Sequence, residues 1–109
     1  MDMPEVDIQR GDGSIVKCDI EARTLTYYRY HVKFTPLEWK ILRELYERRP
    51  NVVERSDLVK LIWGTGKNFP TRTIDVHISS IRKKLGYIKG ARIDSSYGTG
   101  YKFVMLTRF

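Results

Sequence analysis

The chain has 109 residues, 41% hydrophobic and 30% charged, which suits one domain with one modest core and excludes a disordered chain. No apolar run approaches the ~18 residues of a transmembrane helix, so no membrane association is expected. The net charge of +7 points to a polyanionic partner, and Cys18, the single cysteine, forms no internal disulfide, which fits a reducing cytoplasm.

The N-terminal stretch Met1-Asp2-Met3-Pro4-Glu5 is acidic and lacks an apolar segment, so it does not read as a secretory signal. Short β-prone runs follow. Val6 and Ile8, then Ile15, Val16, Cys18 and Ile20, are separated by the turn signal Gly11-Asp12-Gly13. Leu25-Thr26-Tyr27-Tyr28 and Val32-Lys33-Phe34 are two more. A small four-stranded antiparallel sheet over residues 5–35 is predicted.

The period then turns helical. In "FTPLEWKILRELYERRP", Thr35 is placed as the N-cap, Pro36 at the first helical position and Glu38 three residues past the cap, completing a capping box. Glu38 therefore reads as a capping residue rather than a catalytic one. Phe34 and Trp39 can form a hydrophobic staple, Leu37, Ile41, Leu42 and Leu45 form the buried stripe, and Pro50 stops the helix. A second helix is predicted over Ser56 to Trp63, with Leu58, Leu61 and Ile62 inward and Gly64 as its stop. The loop Gly64 to Pro70 leads to a third helix, "TRTIDVHISSIRKKLG", which Gly86 ends.

At about 100° per residue, Ile74, Ile78, Ile81 and Leu85 share one side of that third helix, and Arg72, Val76, Ser79, Ser80 and Lys83 lie opposite. Thr73, His77 and Lys84 fall on one flank, Asp75 and Arg82 on the other. Residues 71–92 hold six basic side chains against Asp75 alone. The tail reads as a hairpin over 92–106: Arg92 to Tyr97, a tip at Gly98-Thr99-Gly100, and Tyr101 to Leu106.

The predicted class is α+β: four strands, three helices over 36–86 and a C-terminal hairpin, in one domain spanning 1–109. A short helix, a turn, and a second helix with a bare basic face is helix-turn-helix logic, and the hairpin beside it would be a wing. Such a helix fits the DNA major groove. Arg72 and Lys83 can reach phosphates or guanine, Val76 a thymine methyl, and Ser79 and Ser80 either kind of base edge. Arg82 and Lys84, on the flanks, are assigned to phosphates. Thr99 and Lys102, near the glycine-rich tip, can follow the backbone or enter the minor groove. With about four or five phosphates neutralised, log affinity should fall against log salt with a slope near −4.

His31 and His77 are isolated and give no metal-ligand spacing. No paired carboxylates and no nucleophile beside a base are visible, so neither metal, cofactor nor enzymatic activity is expected. Two other function classes stay in view. One is a winged helix used only for protein contact, which the basic face argues against. The other is double-stranded RNA binding, which a deep, narrow groove disfavours.

Four stretches also resemble the winged-helix effector domain of the OmpR/PhoB family of response regulators over roughly residues 5–104. "FTPLEWKIL" resembles the family's "LTxxEFxLL", "VVERSDLVKLIWG" its "VVSREELLxxVWG", "TRTIDVHISSIRKKLG" its "xRTVDVHIxxLRKKLG", and "IDSSYGTGYKF" its "IxTVRGxGYRL". The resemblance implies a sequence-specific DNA-binding output domain that regulates transcription. It implies phosphate contacts by Trp63, Arg72, Thr73, His77 and Tyr101, base-facing Val76, Ser79, Ser80 and Lys83, and a wing in the minor groove at Tyr97. It also implies RNA polymerase contact through the loop carrying Thr65, Lys67, Asn68 and Phe69, and tandem half-sites on the DNA. Ser79, Ser80 and Tyr97 stand where family members often carry arginine, which leaves the operator open. Family members usually carry a receiver domain, addressed by a histidine kinase, ahead of this one. Residues 1–34 are too short for it, so the chain is read as a fragment of a longer regulator, with a stand-alone regulator as the alternative.

Overall fold

The computed structural model describes the backbone of residues 5–9 and all of residues 15–66 and 70–105. The expected turn at Gly11-Asp12-Gly13 and the end of the hairpin at Leu106 lie outside the described residues. Strands β1 (Glu5–Gln9), β2 (Ile15–Asp19), β3 (Thr24–Tyr27) and β4 (Tyr30–Lys33) form an antiparallel meander in chain order. Val16, Leu25, Tyr27 and Val32 are buried on one side of this sheet, and Leu25 faces Val32 across the β3–β4 ladder. Tyr27 pairs with Tyr30, so Tyr28 and Arg29 form a two-residue tip. Tyr28 sits at φ 55, in the left-handed region, and thus leaves the strand run that its β propensity suggested.

Helix α1 (Pro36–Glu47) begins as its residues require. The Thr35 side chain accepts from the Glu38 amide at 3.2 Å, and Glu38 accepts from the Thr35 amide at 2.9 Å. The Phe34 and Trp39 rings pack at 5.8 Å across this start. Ile41, Leu42 and Leu45 are buried as expected, but Leu37 is only half-buried, and Trp39 and Glu38 take the remaining inward positions.

A two-residue strand, β5 (Val53–Glu54), follows and was not expected. Helix α2 (Arg55–Trp63) starts directly after it, one residue before the Ser56 start read from the sequence. Its buried residues are Leu58 and Val59, while Leu61 and Ile62 pack half-buried against the core. Helix α3 (Arg72–Leu85) lies where its period placed it.

Strands β6 (Ala91–Ser96) and β7 (Gly100–Met105) make the hairpin, and β5 joins it to give a three-stranded sheet in the order β5-β7-β6. The loop is Tyr97-Gly98-Thr99, so Gly100 is not part of the tip. It pairs with Glu54 and Ser96, and a Cβ there would lie 2.0 Å from the Val53 carbonyl oxygen. Glycine at 100 therefore permits the close approach of β5. The class is α+β, a winged helix-turn-helix, with a third strand beside the wing. No helix among the described residues is long and apolar enough to cross a membrane.

Candidate nucleic-acid interface

One side of α3 is fixed by burial. Ile74, Ile78 and Ile81 are fully buried and Leu85 nearly so, each contributing about 1.5–3 kcal/mol relative to exposure. The opposite side is therefore turned outward. Arg72, Val76, Ser79 and Lys83 are all exposed there, Val76 at 64%. An apolar side chain held in water between two cations is what a surface aimed at thymine methyls and phosphates presents.

This face stays acid-free because Asp75 is held at the flank. Arg55 Nε lies 2.9 Å from Asp75 Oδ1, and the Tyr101 hydroxyl donates to the same oxygen at 2.5 Å. The Arg55 N–H does not point at that oxygen: Arg55 Nε is among the buried polar atoms without a hydrogen-bond partner. Burial, reinforced by the bond to Asp75, pushes the Tyr101 phenol up, so it remains a donor at neutral pH. Tyr101 is 5% exposed. The expectation that it holds a phosphate is corrected: its one hydroxyl is committed to Asp75 and its ring to the core.

A second correction concerns Ser80 and Lys84. Both face α1, not the outer side. Ser80 Oγ donates to Glu38 Oε2 and Lys84 Nζ to Glu38 Oε1, each at 2.5 Å. They are four residues apart, so they stack on one side of the helix, and at about 100° per residue Ser80 stands some 60° from Lys83.

Glu38, 4% exposed, is the buried polar side chain they serve. Burial pushes its carboxyl up, but bonds from Lys84, Ser80 and the Thr35 amide outweigh this and bring it to about 2. A carboxylate read from sequence as a local cap thus also anchors the recognition helix. The signal that could have revealed it was a serine and a lysine at i, i+4 on the side facing α1.

Arg82, expected at phosphates, also bonds within the fold. Its Nε donates to the Ile93 carbonyl at 3.0 Å and its Nη2 to Ser95 Oγ at 2.8 Å, while its guanidinium lies 5.3 Å from the Tyr101 ring centroid. This fork staples α3 to β6, with Arg82 still exposed. Thr73, His77 and Trp63 are half-buried along the other flank, with the Trp63 and His77 rings 6.4 Å apart.

The wing tip is bare. Tyr97 is fully exposed and Thr99 exposed, with Thr99 Oγ1 3.4 Å from the Tyr97 carbonyl oxygen. Lys102 is not at the tip but on the third pair from it, opposite Asp94, which Arg92 binds at 2.8 Å. Of the loop expected to meet polymerase, Thr65 is exposed, while Lys67, Asn68 and Phe69 lie outside the described residues. Among the described residues no group of His, Cys, Asp or Glu could hold a metal ion. Arg55, which neutralises Asp75, was missed in the sequence because its partner lies 20 residues away on another helix.

Known proteins match this chain in sequence and in fold. Residues 29–103 match the family model described as "Transcriptional regulatory protein, C terminal". The transcriptional regulatory protein CseB of Streptomyces avermitilis is 31% identical over 104 residues, covering 91% of this chain and 43% of that protein. The response regulator ArlR of Staphylococcus haemolyticus is 31% identical over 99 residues, covering 90% of this chain and 44% of that protein. The chain thus spans less than half the length of these relatives. The DNA-binding domain of Klebsiella pneumoniae RstA, solved in complex with the RstA box, superposes with a TM-score of 0.70 at 26% identity, covering 90% of this chain and 96% of that one.

Proposed function

The chain belongs to the family of C-terminal, OmpR/PhoB-type DNA-binding domains of transcriptional regulatory proteins, and we propose that it reads duplex DNA with Arg72, Val76, Ser79 and Lys83. It is a DNA-binding domain for transcription regulation. The observation that carries the residue assignment is the outer face of α3: four exposed side chains, two of them cations, backed by four buried aliphatic ones. Val76, Ser79 and Lys83 face bases, and Arg72 holds phosphate, with Thr73, His77 and Trp63 beside it at the groove edge. The RstA domain is solved on its DNA box, which supports the same docking here. Tyr97 and Thr99 at the wing tip meet the adjacent minor groove.

The rest of the reading extends to the longer regulator. The chain is the cytoplasmic output end of a two-component response regulator, its receiver addressed by a histidine kinase. Two copies sit on tandem half-sites, and the loop from Gly64 to Pro70, with Thr65, Lys67, Asn68 and Phe69, meets RNA polymerase.

The test is a mobility-shift and anisotropy titration against random duplex DNA and duplex RNA across salt. Lys84 is held by Glu38 and Arg92 by Asp94, so the DNA slope should be shallower than the roughly −4 that the sequence count implied. Equal affinity for duplex RNA, or a slope near zero, would overturn the reading.

A further inference from the structure

The basic face of α3 does not stop at its last residue. Tyr87 lies four residues beyond Lys83, and Gly86 between them keeps right-handed helical angles (φ −56, ψ −22). The Tyr87 amide bonds back to the Lys84 carbonyl at 3.3 Å. Continued at about 100° per residue, Tyr87 falls about 20° past Val76 and 40° from Lys83, between that outer face and Ser80. It is 56% exposed.

Its ring packs on Tyr30 of β4, with centroids 5.5 Å apart, and the Arg29 guanidinium lies over the Tyr30 ring at 5.5 Å. Tyr30 is 39% exposed, and Tyr28, in the left-handed region at the tip, is 74% exposed. Tyr87, Tyr30 and Arg29 thus form a run of contacts from just past the recognition helix to the β3–β4 tip. Residues 27–33 contribute Arg29 and Lys33 and hold no acid; residues 82–91 hold none either, and there Lys83 stays exposed while Lys84 is paired with Glu38 and Arg82 is bonded to β6.

We infer that the β3–β4 tip, with Arg29, Tyr30 and Tyr87, is a second DNA-contacting element that grips the sugar-phosphate backbone beyond the C-terminal end of α3. The chemistry suits that occupant. Arginine and tyrosine hydroxyls bond phosphate oxygens without reading sequence, a ring holding the guanidinium preorganises it, and the absence of acids removes repulsion. A protein partner would need an acidic patch, whereas DNA is already seated on the adjoining residues in the reading above, on which this inference rests.

Anisotropy titrations of the whole 109-residue chain against a random-sequence duplex about three helical turns long test it. Arg29→Ala and Tyr87→Ala should each weaken binding about threefold or more, and Arg29→Ala should make the salt slope shallower by about one. Arg29 is exposed, so its variant should melt with the wild type even if Tyr87→Ala does not. Weakening by Lys83→Ala with Arg29→Ala unchanged would overturn this inference and leave the α3 reading standing. No binding by the wild type would overturn the α3 reading itself. If Arg29→Ala bound its first copy normally but lost loading of a second, the patch would belong to a neighbouring copy, and the DNA assignment would fall.

Discussion

Helix α3 carries two serine neighbours, Ser79 and Ser80, and two lysine neighbours, Lys83 and Lys84, and treats the members of each pair differently. Ser79 and Lys83 are exposed on the outer face, while Ser80 and Lys84 close on the buried Glu38 carboxylate. The residue types are identical; a rotation of about 100° separates their surroundings. One pair is left for a ligand and the other helps fix the angle at which the helix is presented. Residue chemistry alone therefore does not distinguish a reader from a strut on this helix. What lies across the gap does.

The comparison breaks most sharply at Glu38. Its removal leaves Lys84 and Ser80 facing an apolar space, so Glu38→Ala should cost on the order of 3 kcal/mol, or roughly 10–20 °C in melting temperature. The pH dependence must agree in sign. Glu38 is held at about 2 against an ordinary 4.5, so its contribution is present above about pH 5 and is lost as pH falls towards 2. The stability gap between wild type and Glu38→Gln should therefore narrow over that interval. A gap constant with pH in chemical unfolding would show that the carboxylate's charge is not what holds α3.

The lysines sharpen it next. Lys84→Ala should lower the melting temperature by an amount equivalent to about 1–2 kcal/mol, discounted because Lys84 is 30% exposed. Lys83→Ala should leave stability within about 0.5 kcal/mol while weakening DNA binding by about 1–3 kcal/mol. The opposite pattern in paired melting and anisotropy measurements would mean the faces are assigned backwards. The serines repeat the contrast at smaller scale: Ser80→Ala should cost about 1 kcal/mol and Ser79→Ala almost nothing in stability. Only Ser79→Ala should alter which sites a selection from random DNA recovers.

The smallest expected effect is at the wing. Tyr97 is fully exposed, so Tyr97→Arg should not change the melting temperature. It should tighten binding at low salt and steepen the slope by about one, most where an A·T-rich step narrows the minor groove. An unchanged slope would remove the wing tip from the contacting surface.

What could be read from the order of residues was what depends on near neighbours. The α1 capping box, the Phe34–Trp39 staple, the Ile74-Ile78-Ile81-Leu85 stripe and the outer face of Arg72, Val76, Ser79, Ser80 and Lys83 were read from spacings of three to five residues, and the structure carries each of them except that Ser80 turns to Glu38. Short-range geometry is set by the helical repeat itself. Four features arose only when distant segments met. Ser80 and Lys84 reach Glu38 across 42 and 46 residues, and Tyr101 reaches Asp75 across 26. Strand β5 exists because β7 offers it a ladder at Tyr101 and Gly100, where the missing Cβ lets the backbones close. Two residues have too little periodicity to announce a strand, and a polar side chain carries no local sign of whether a distant carboxylate or water will satisfy it. The packing of α3 against α1 and the wing supplies that partner, and so decides which of the basic and polar side chains on α3 remain for DNA.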